Sequence, residues 1–188
     1  MKKGNKFTSI DSVSLVPLLQ KLDAALAEKS QKAKIVVLGG LAIIAQGFRE
    51  RATLDIDIAQ NRDAAIFIKI CNQFAIPVDV ITVSSTVDLH HAPTKNIFSG
   101  KCLTLEAITA PDLIKLKLER FYKQDPDDIY AMIQKIRMTY DGFKKLFIDM
   151  LPDFIGNPRG LILSAQLVVE RMFPEKIEDF KKTVSNRP

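Results

Sequence analysis

The sequence predicts an α/β (α+β) chain in which strands and helices interleave, followed by a segment made of helices alone. Three observations predict it. Short β-branched runs (Ile35 to Leu38, Val78 to Val83) alternate with stretches of helical periodicity. Leu54-Asp55-Ile56-Asp57-Ile58 has the two-residue period of a strand with one apolar face. From Pro126 onward only helical patterns remain: Asp127 to Met138, Tyr140 to Leu151, Arg159 to Met172 and a shorter one to Lys182.

Leu15, Leu18, Leu19, Leu22 and Leu26 put an amphipathic helix over Asp11 to Ser30, capped by Ser9 or Ser12, behind a loose Met1 to Thr8. After the strand at Ile35, Gly39-Gly40 forces a sharp turn. Leu41 to Gln46 is a short helix that stops at Gly47. Asn61 to Phe74 is a helix with Ile66, Phe67 and Ile70 inward and Asn61 as cap, and Pro77 ends the turn after it. Ala92 to Gly100 is expected as a loop or hairpin turn, and Lys101 to Ala107 as a strand. Pro111 opens a helix to about Tyr122. The boundaries expected are a core over 1–122 and a helical C-terminal segment over 123–188 packed on it.

At 188 residues the chain suits one compact domain or one with a helical extension, and 47% hydrophobic content argues against disorder. The longest apolar run, Ile35 to Ala45, is too short to span a bilayer and holds two glycines. No apolar signal core follows the basic Met-Lys-Lys-Gly-Asn-Lys start, so a cytoplasmic location with no membrane partner is expected. Cys71 and Cys102 show no metal spacing and read as core thiols. The net charge of +5 is a mild basic bias compatible with RNA or nucleotide partners. Seven lysines against three acids in the first 34 residues form a solvated helix face or a weak polyanion-binding flank.

The most informative stretch runs from Lys34 to Ala59. Asp55 and Asp57 point to one side of their strand while Leu54, Ile56 and Ile58 point to the other. Asp is depleted in strands, and two carboxylates on one face repel unless a positive group lies between them. Either the pair is a solvated edge, or it holds a hard divalent cation such as Mg²⁺. Gly39-Gly40 upstream brings bare backbone amides that suit a phosphate-bearing ligand.

Gly39-Gly40, a helical spacer and Asp55-Ile56-Asp57-Ile58 resemble the signature of the nucleotidyltransferase superfamily. Arg51-Ala52-Thr53-Leu54-Asp55 resembles the lead-in of its AbiEii-type abortive-infection branch. The resemblance spans roughly Lys34 to Ile129. It implies the nucleotidyltransferase fold: a mixed β-sheet flanked by helices with a C-terminal helical segment. It implies Mg²⁺ (or Mn²⁺) on Asp55 and Asp57, and a third carboxylate on a neighbouring strand. Asp79 is the natural candidate for the third, with Asp88 as the competitor. Asp79 would complete the metal site and help deprotonate the acceptor. Gly39 and Gly40 would cradle phosphates, Arg49, Arg51 and Lys117 would contact them, and Thr53 would hydrogen-bond there. ATP or another NTP is the implied substrate, with an RNA end or tRNA as acceptor and an antitoxin protein as partner.

The helix after Pro111 carries a second signal. Leu113, Ile114, Leu116, Leu118 and Phe121 form an apolar arc with Lys117 near its centre and Arg120 inside it, while Lys115, Glu119 and Lys123 fall on the opposite, solvated side. A lysine so placed snorkels to water or meets a buried negative partner. In the family a lysine precedes a Lys-Asp and Asp-x-x-Asp-Ile stretch, matched here by Lys117 and by Lys123-Gln124-Asp125-Pro126-Asp127-Asp128-Ile129, with Gln124 interrupting the Lys-Asp pair. On that resemblance Lys117 neutralises phosphate or steadies a carboxylate, Asp125 holds Lys117 or caps a helix, and Asp128 is structural.

Other chemistries lack their residues. There is no Gly-x-x-x-x-Gly-Lys-Ser/Thr phosphate loop, no dinucleotide-binding glycine spacing and no Gly-x-Ser-x-Gly, and the only histidines, His90 and His91, are adjacent. Three readings stay open: a toxin- or defence-type nucleotidyltransferase, a non-catalytic nucleotide- or protein-binding module on the same fold, and a small-molecule-modifying transferase.

Overall fold

The structure, a computed structural model, describes residues 9–122 and 124–185. The expectations for Met1 to Thr8 and for Lys123 lie outside the described residues. The chain divides into two compact units, one of Met1–Val83 with Leu89–Thr109 and one of Ser84–Asp88 with Ala110–Pro188. Among the described residues no helix is long and apolar enough to cross a membrane.

The first unit is a five-stranded mixed sheet with three helices. Its strands are β1 (Ala33–Val37), β2 (Ile56–Ala59), β3 (Val78–Ile81), β4 (Thr94–Ser99) and β5 (Leu103–Ile108), in the order β3-β2-β1-β5-β4. β1 runs parallel to β5 and β2 parallel to β3, whereas the β1–β2 and β4–β5 pairs are antiparallel. The helices are α1 (Leu15–Glu28), α2 (Gly39–Ala45) and α3 (Ala64–Gln73). Ile35 and Val37 of β1, Ile56 and Ile58 of β2 and Leu105 of β5 are fully buried, as are Leu22 and Leu26 of α1 and Phe67 and Ile70 of α3. Strand alternation sends the intervening residues Lys34, Val36, Asp57, Asp79 and Glu106 to the opposite sheet face.

Three local expectations are corrected. The entry to α1 is closed by Asp11 rather than by Ser9 or Ser12. Its Oδ1 accepts from the Ser14 amide (2.8 Å) while the Ser14 hydroxyl accepts from the Asp11 amide (2.9 Å), a reciprocal box in which a full negative charge outcompetes a serine hydroxyl. Leu54 is 67% exposed, because β2 begins only at Ile56 and the inward residue of the preceding turn is Thr53. Residues 94–99 form an edge strand, not a loop. Thr94-Lys95-Asn96 is exposed and has no alternating apolar side, so no hydrophobic period marks it; it is held to β5 by the backbone ladder and by the Thr94 hydroxyl, which donates to Glu106 Oε2 at 2.8 Å.

A carboxylate from α1 organises the β4–β5 hairpin. Asp23 Oδ1 accepts the amides of Cys102 and Leu103 (both 2.7 Å) and Oδ2 accepts that of Lys101 (3.1 Å). Gly100 is required beside it, since a Cβ there would lie 2.2 Å from Asp23 Oδ1.

The second unit contains α4 (Ala110–Arg120), α5 (Asp125–Lys135), α6 (Tyr140–Met150), α7 (Pro158–Met172) and α8 (Ile177–Ser185). Its core is aromatic: the Phe147 and Phe180 rings stand 5.4 Å apart, and Phe143 lies 6.4 Å from Phe180. Thr139 caps α6 and Asn157 caps α7, with Pro158 at the first helical position. Glu119, placed by the helical wheel on the solvated side of α4, is instead half-buried. Its carboxylate accepts from the hydroxyls of Ser84 (3.1 Å), Ser85 (3.0 Å) and Thr86 (2.6 Å) and from the Thr86 amide (3.1 Å), tying residues 84–88 to α4.

Burial raises the Asp23 carboxyl, but its three backbone donors outweigh that and hold it below the usual carboxylate range. Such a group adds stability that is present above its unfolded pKa of about 4 and lost as pH falls through the lower folded value. Asp23→Ala is therefore expected to destabilise the protein by about 1–2 kcal/mol at pH 7, after solvent screening. In urea melts from pH 7 to pH 2, the difference from wild type should shrink below about pH 4.

Candidate functional site

The site begins with Asp57. The antiparallel pairing of β1 and β2 sets Val37 opposite Ile58, and the Leu38 amide donates to the Asp57 carbonyl at 2.9 Å. Gly39 thus turns away directly against the Asp57 side chain. Its φ is +56°, and a Cβ there would sit 1.7 Å from Asp57 Oδ2. Only glycine meets both demands. Gly40 is constrained from the other side, where a Cβ would lie 2.6 Å from Thr53 Oγ1 and 3.4 Å from Arg51 Nη2. The backbone of the turn is therefore packed against three of the residues expected at the site.

Thr53 is buried and held by a two-way bridge to Ile10, with N–H to carbonyl distances of 2.8 Å in each direction. Its hydroxyl donates to Asp55 Oδ1 at 2.9 Å. This fixes the carboxylate that precedes β2. The parallel register of β2 and β3 pairs Asp57 with Asp79. One carboxylate oxygen from each of Asp55, Asp57 and Asp79 lies within 4.8 Å of the other two. Asp55 and Asp57 are half-buried and Asp79 is exposed. Asp88 is exposed and falls in the other compact unit.

Three anionic oxygens at this spacing suit a hard cation. Mg²⁺ binds oxygen at about 2.0–2.1 Å, keeps several waters and is usually held by one or two protein carboxylates together with substrate phosphates. Without a positive charge between them, in-register acids on adjacent strands destabilise the sheet. The donor set therefore fits a hard divalent cation. Arg49 and Arg51 are half-buried on the segment between α2 and β2, Arg51 near Gly40.

Lys117 and Asp125 belong to the second unit. Lys117 is 2% exposed, and its Nζ lies 2.7 Å from Asp125 Oδ1 and 2.8 Å from Asp128 Oδ2. The lysine in the apolar arc thus meets buried acids rather than snorkelling. Arg120 adds a bond from Nε to Asp125 Oδ2 at 2.8 Å, and the Tyr122 amide donates to the same oxygen at 3.0 Å. Burial raises the Asp125 carboxyl, but Lys117, Tyr122 and Arg120 more than offset it and hold the group below its ordinary range. Asp125 is therefore a clasp between α4 and α5. The cap position of α5 is Gln124, and the Asp125 side chain turns back to the end of α4.

Two contacts of the first unit were not readable in the sequence, where Asn61 is expected only as a helix cap. Ile10 holds Thr53 through its backbone, in an isolated bridge rather than a strand, and its side chain is fully buried. Asn61 and Asp63 extend the β1 ladder from side chains, Asn61 donating to the Lys34 carbonyl (2.8 Å) and Asp63 accepting from its amide (2.8 Å).

A family model described as "Nucleotidyltransferase of unknown function (DUF6036)" matches residues 14–155, about three quarters of the chain. No match was found among curated proteins or among solved structures.

Two substitutions test this construction. Gly39→Ala is expected to cost about 1–3 kcal/mol in a chemical melt, since it adds backbone strain and pushes the Asp57 carboxylate aside. Lys117→Met removes the buried cation that Asp125 and Asp128 share and should cost about 3–5 kcal/mol. A loss under 1 kcal/mol for Lys117→Met would contradict the burial of this cluster.

Proposed function

The chain belongs to this nucleotidyltransferase family, and we propose that it is a metal-dependent nucleotidyltransferase that moves a nucleotide from ATP or another NTP to an acceptor hydroxyl. The observation that carries the reading is the convergence of Asp55, Asp57 and Asp79 beside the Gly39 turn. Asp55 and Asp57 would hold Mg²⁺ or Mn²⁺, with Asp79 completing the set. A divalent cation bound there supplies neutralisation of triphosphate charge and a more acidic acceptor hydroxyl.

The protein's own groups have separable tasks in this proposal. Gly39 and Gly40 let backbone approach the phosphates where any side chain would collide with Asp57 or Thr53. Thr53 orients Asp55 through its hydroxyl, and Ile10 keeps Thr53 in place. Arg49 and Arg51 contact phosphate oxygens. Asp79, exposed at the edge of the cluster, takes the proton of the acceptor hydroxyl. The acceptor oxygen forms a bond to the α-phosphorus, the bond between the α-phosphorus and its bridging oxygen to the β-phosphate breaks, and pyrophosphate leaves. Lys117, which the resemblance sets on phosphate or on a carboxylate, and Asp125, which it sets on Lys117 or a helix start, act in this reading by steadying α4 and α5.

The resemblance of Arg51-Ala52-Thr53-Leu54-Asp55 to the AbiEii-type branch supports a toxin- or defence-type role in the cytoplasm, with an RNA end as acceptor and an antitoxin protein as partner. An intact acid cluster favours this over a non-catalytic binding module.

Calorimetric titration of each NTP, with Mg²⁺ or Mn²⁺ and without, tests the proposal. Wild type should bind at least one NTP only when the metal is present, and Asp57→Ala should weaken that binding by about 100-fold or more. Metal-independent binding, or equal binding by Asp57→Ala, contradicts it.

A further inference from the structure

The helix α7 presents two contrasting sides. One buries Leu161, Ala165, Val168 and Val169 in the second unit. The other is turned to solvent, and at about 100° per residue it gathers Arg159, Leu167 and Glu170 within about 40° of Leu163. The outer side of such a helix is ordinarily polar. Here Leu163 and Leu167, one turn apart, are 59% and 46% exposed. Charged residues close both ends of the leucine pair, Arg159 one turn before it and Glu170 one turn after. Both are exposed, and neither takes part in an ion pair among the described residues.

The ridge therefore reads positive, leucine, leucine, negative, a series that complements its own reverse. Take a two-fold axis across the helix at the level of Ala165. It sets Leu163 of one copy at the height of Leu167 of the other. Arg159 then stands within one residue's rise, about 1.5 Å, of the height of Glu170 of the other copy. The same rotation keeps each side chain on its own flank, so the opposite charges meet on the same side of the helix pair. A parallel pairing would set Arg159 against Arg159 and Glu170 against Glu170, so charge selects the antiparallel one. The ridge also admits close approach. A Cβ at Gly160 would meet the Asn157 side chain no nearer than 3.7 Å, so the chain's own packing does not require a glycine there, where it weakens the helix. The Ser164 hydroxyl donates to the Gly160 carbonyl at 3.0 Å and is thereby folded against its own helix.

We infer that two copies of this chain associate through antiparallel α7 helices, with Leu163 of each against Leu167 of the other and Arg159 of each paired with Glu170 of the other. The inference is independent of the transferase reading, since α7 holds none of the residues assigned to the site. Two leucines and one charged pair a side fall well short of a standard interface. The dimer is accordingly weak and reversible, with a dissociation constant on the order of 100 µM.

Sedimentation velocity of the full chain, from about 10 µM to about 1 mM, tests it. Wild type should pass from the mass of one chain toward that of two. Arg159→Glu and Glu170→Arg each set like charges together at both pairs, and Leu163→Glu puts a charge into the leucine contact. Each should weaken dimerisation by about tenfold or more and melt as wild type does. An equimolar mixture of the Arg159→Glu and Glu170→Arg proteins restores opposite charges at both pairs of the mixed dimer, and its affinity should return to within about threefold of wild type. Wild type that stays monomeric at about 1 mM would overturn the inference. So would single variants that dimerise as wild type does, or a mixture that remains monomeric.

Discussion

Two carboxylates meet in register across β2 and β3, and the first unit is arranged around that costly pairing. Asp57 and Asp79 repel each other across a spacing that ordinarily holds packed apolar or oppositely charged pairs. A sheet would not keep such a pair for stability. Each neighbouring element limits where those charges can go. The buried face of β2, through Ile56 and Ile58, sets its register, so Asp57 cannot turn inward. Gly39 leaves the room that Asp57 Oδ2 occupies. Thr53, clamped by Ile10, brings Asp55 to the same place by a hydrogen bond. The stability surrendered at the acids is offset by the apolar face beneath them, which is the usual relation between a preorganised site and its scaffold.

The second unit treats buried charge differently. Lys117, Asp125 and Asp128 are closed on one another in its interior, with Arg120 and the Tyr122 amide filling further acceptor positions. A buried cluster of this kind adds little net stability over apolar packing but strongly penalises any arrangement that separates its members. It therefore specifies how α4 meets α5 at the turn between them. Glu119 uses the same chemistry nearer the surface, holding residues 84–88 to α4 through three hydroxyls and an amide. The two units share a device, charge used for position: closed around a buried lysine in one, gathered beside the Gly39 turn in the other.

Where sequence reading succeeded, the property was local. The glycines at 39 and 47, both at positive φ, and the alternation through Asp55 to Ile58 each express a rule that acts within a few residues. The odd position of Lys117 in an apolar arc was also visible. Which outcome it met was not, because a snorkelling lysine and a paired one have the same helical pattern. The strand at 94–99 and the Asp23 anchor escaped for the converse reason. An edge strand needs no apolar period when its partner supplies the hydrogen bonds. Asp23 reaches residues nearly eighty positions away, and no window on the sequence joins them.

The sequence by itself determined the α/β class with its helical continuation, the Gly-Gly turn and the two acids on one strand face, since all of these follow from backbone conformation and side-chain period. Only the tertiary structure decided that Asp79 stands opposite Asp57 and that Asp88 falls in the other unit. It alone decided that Lys117 is closed upon acids. These depend on which strands become neighbours and in what register. That is settled by burial summed over the whole sheet, a quantity that no single stretch of sequence contains.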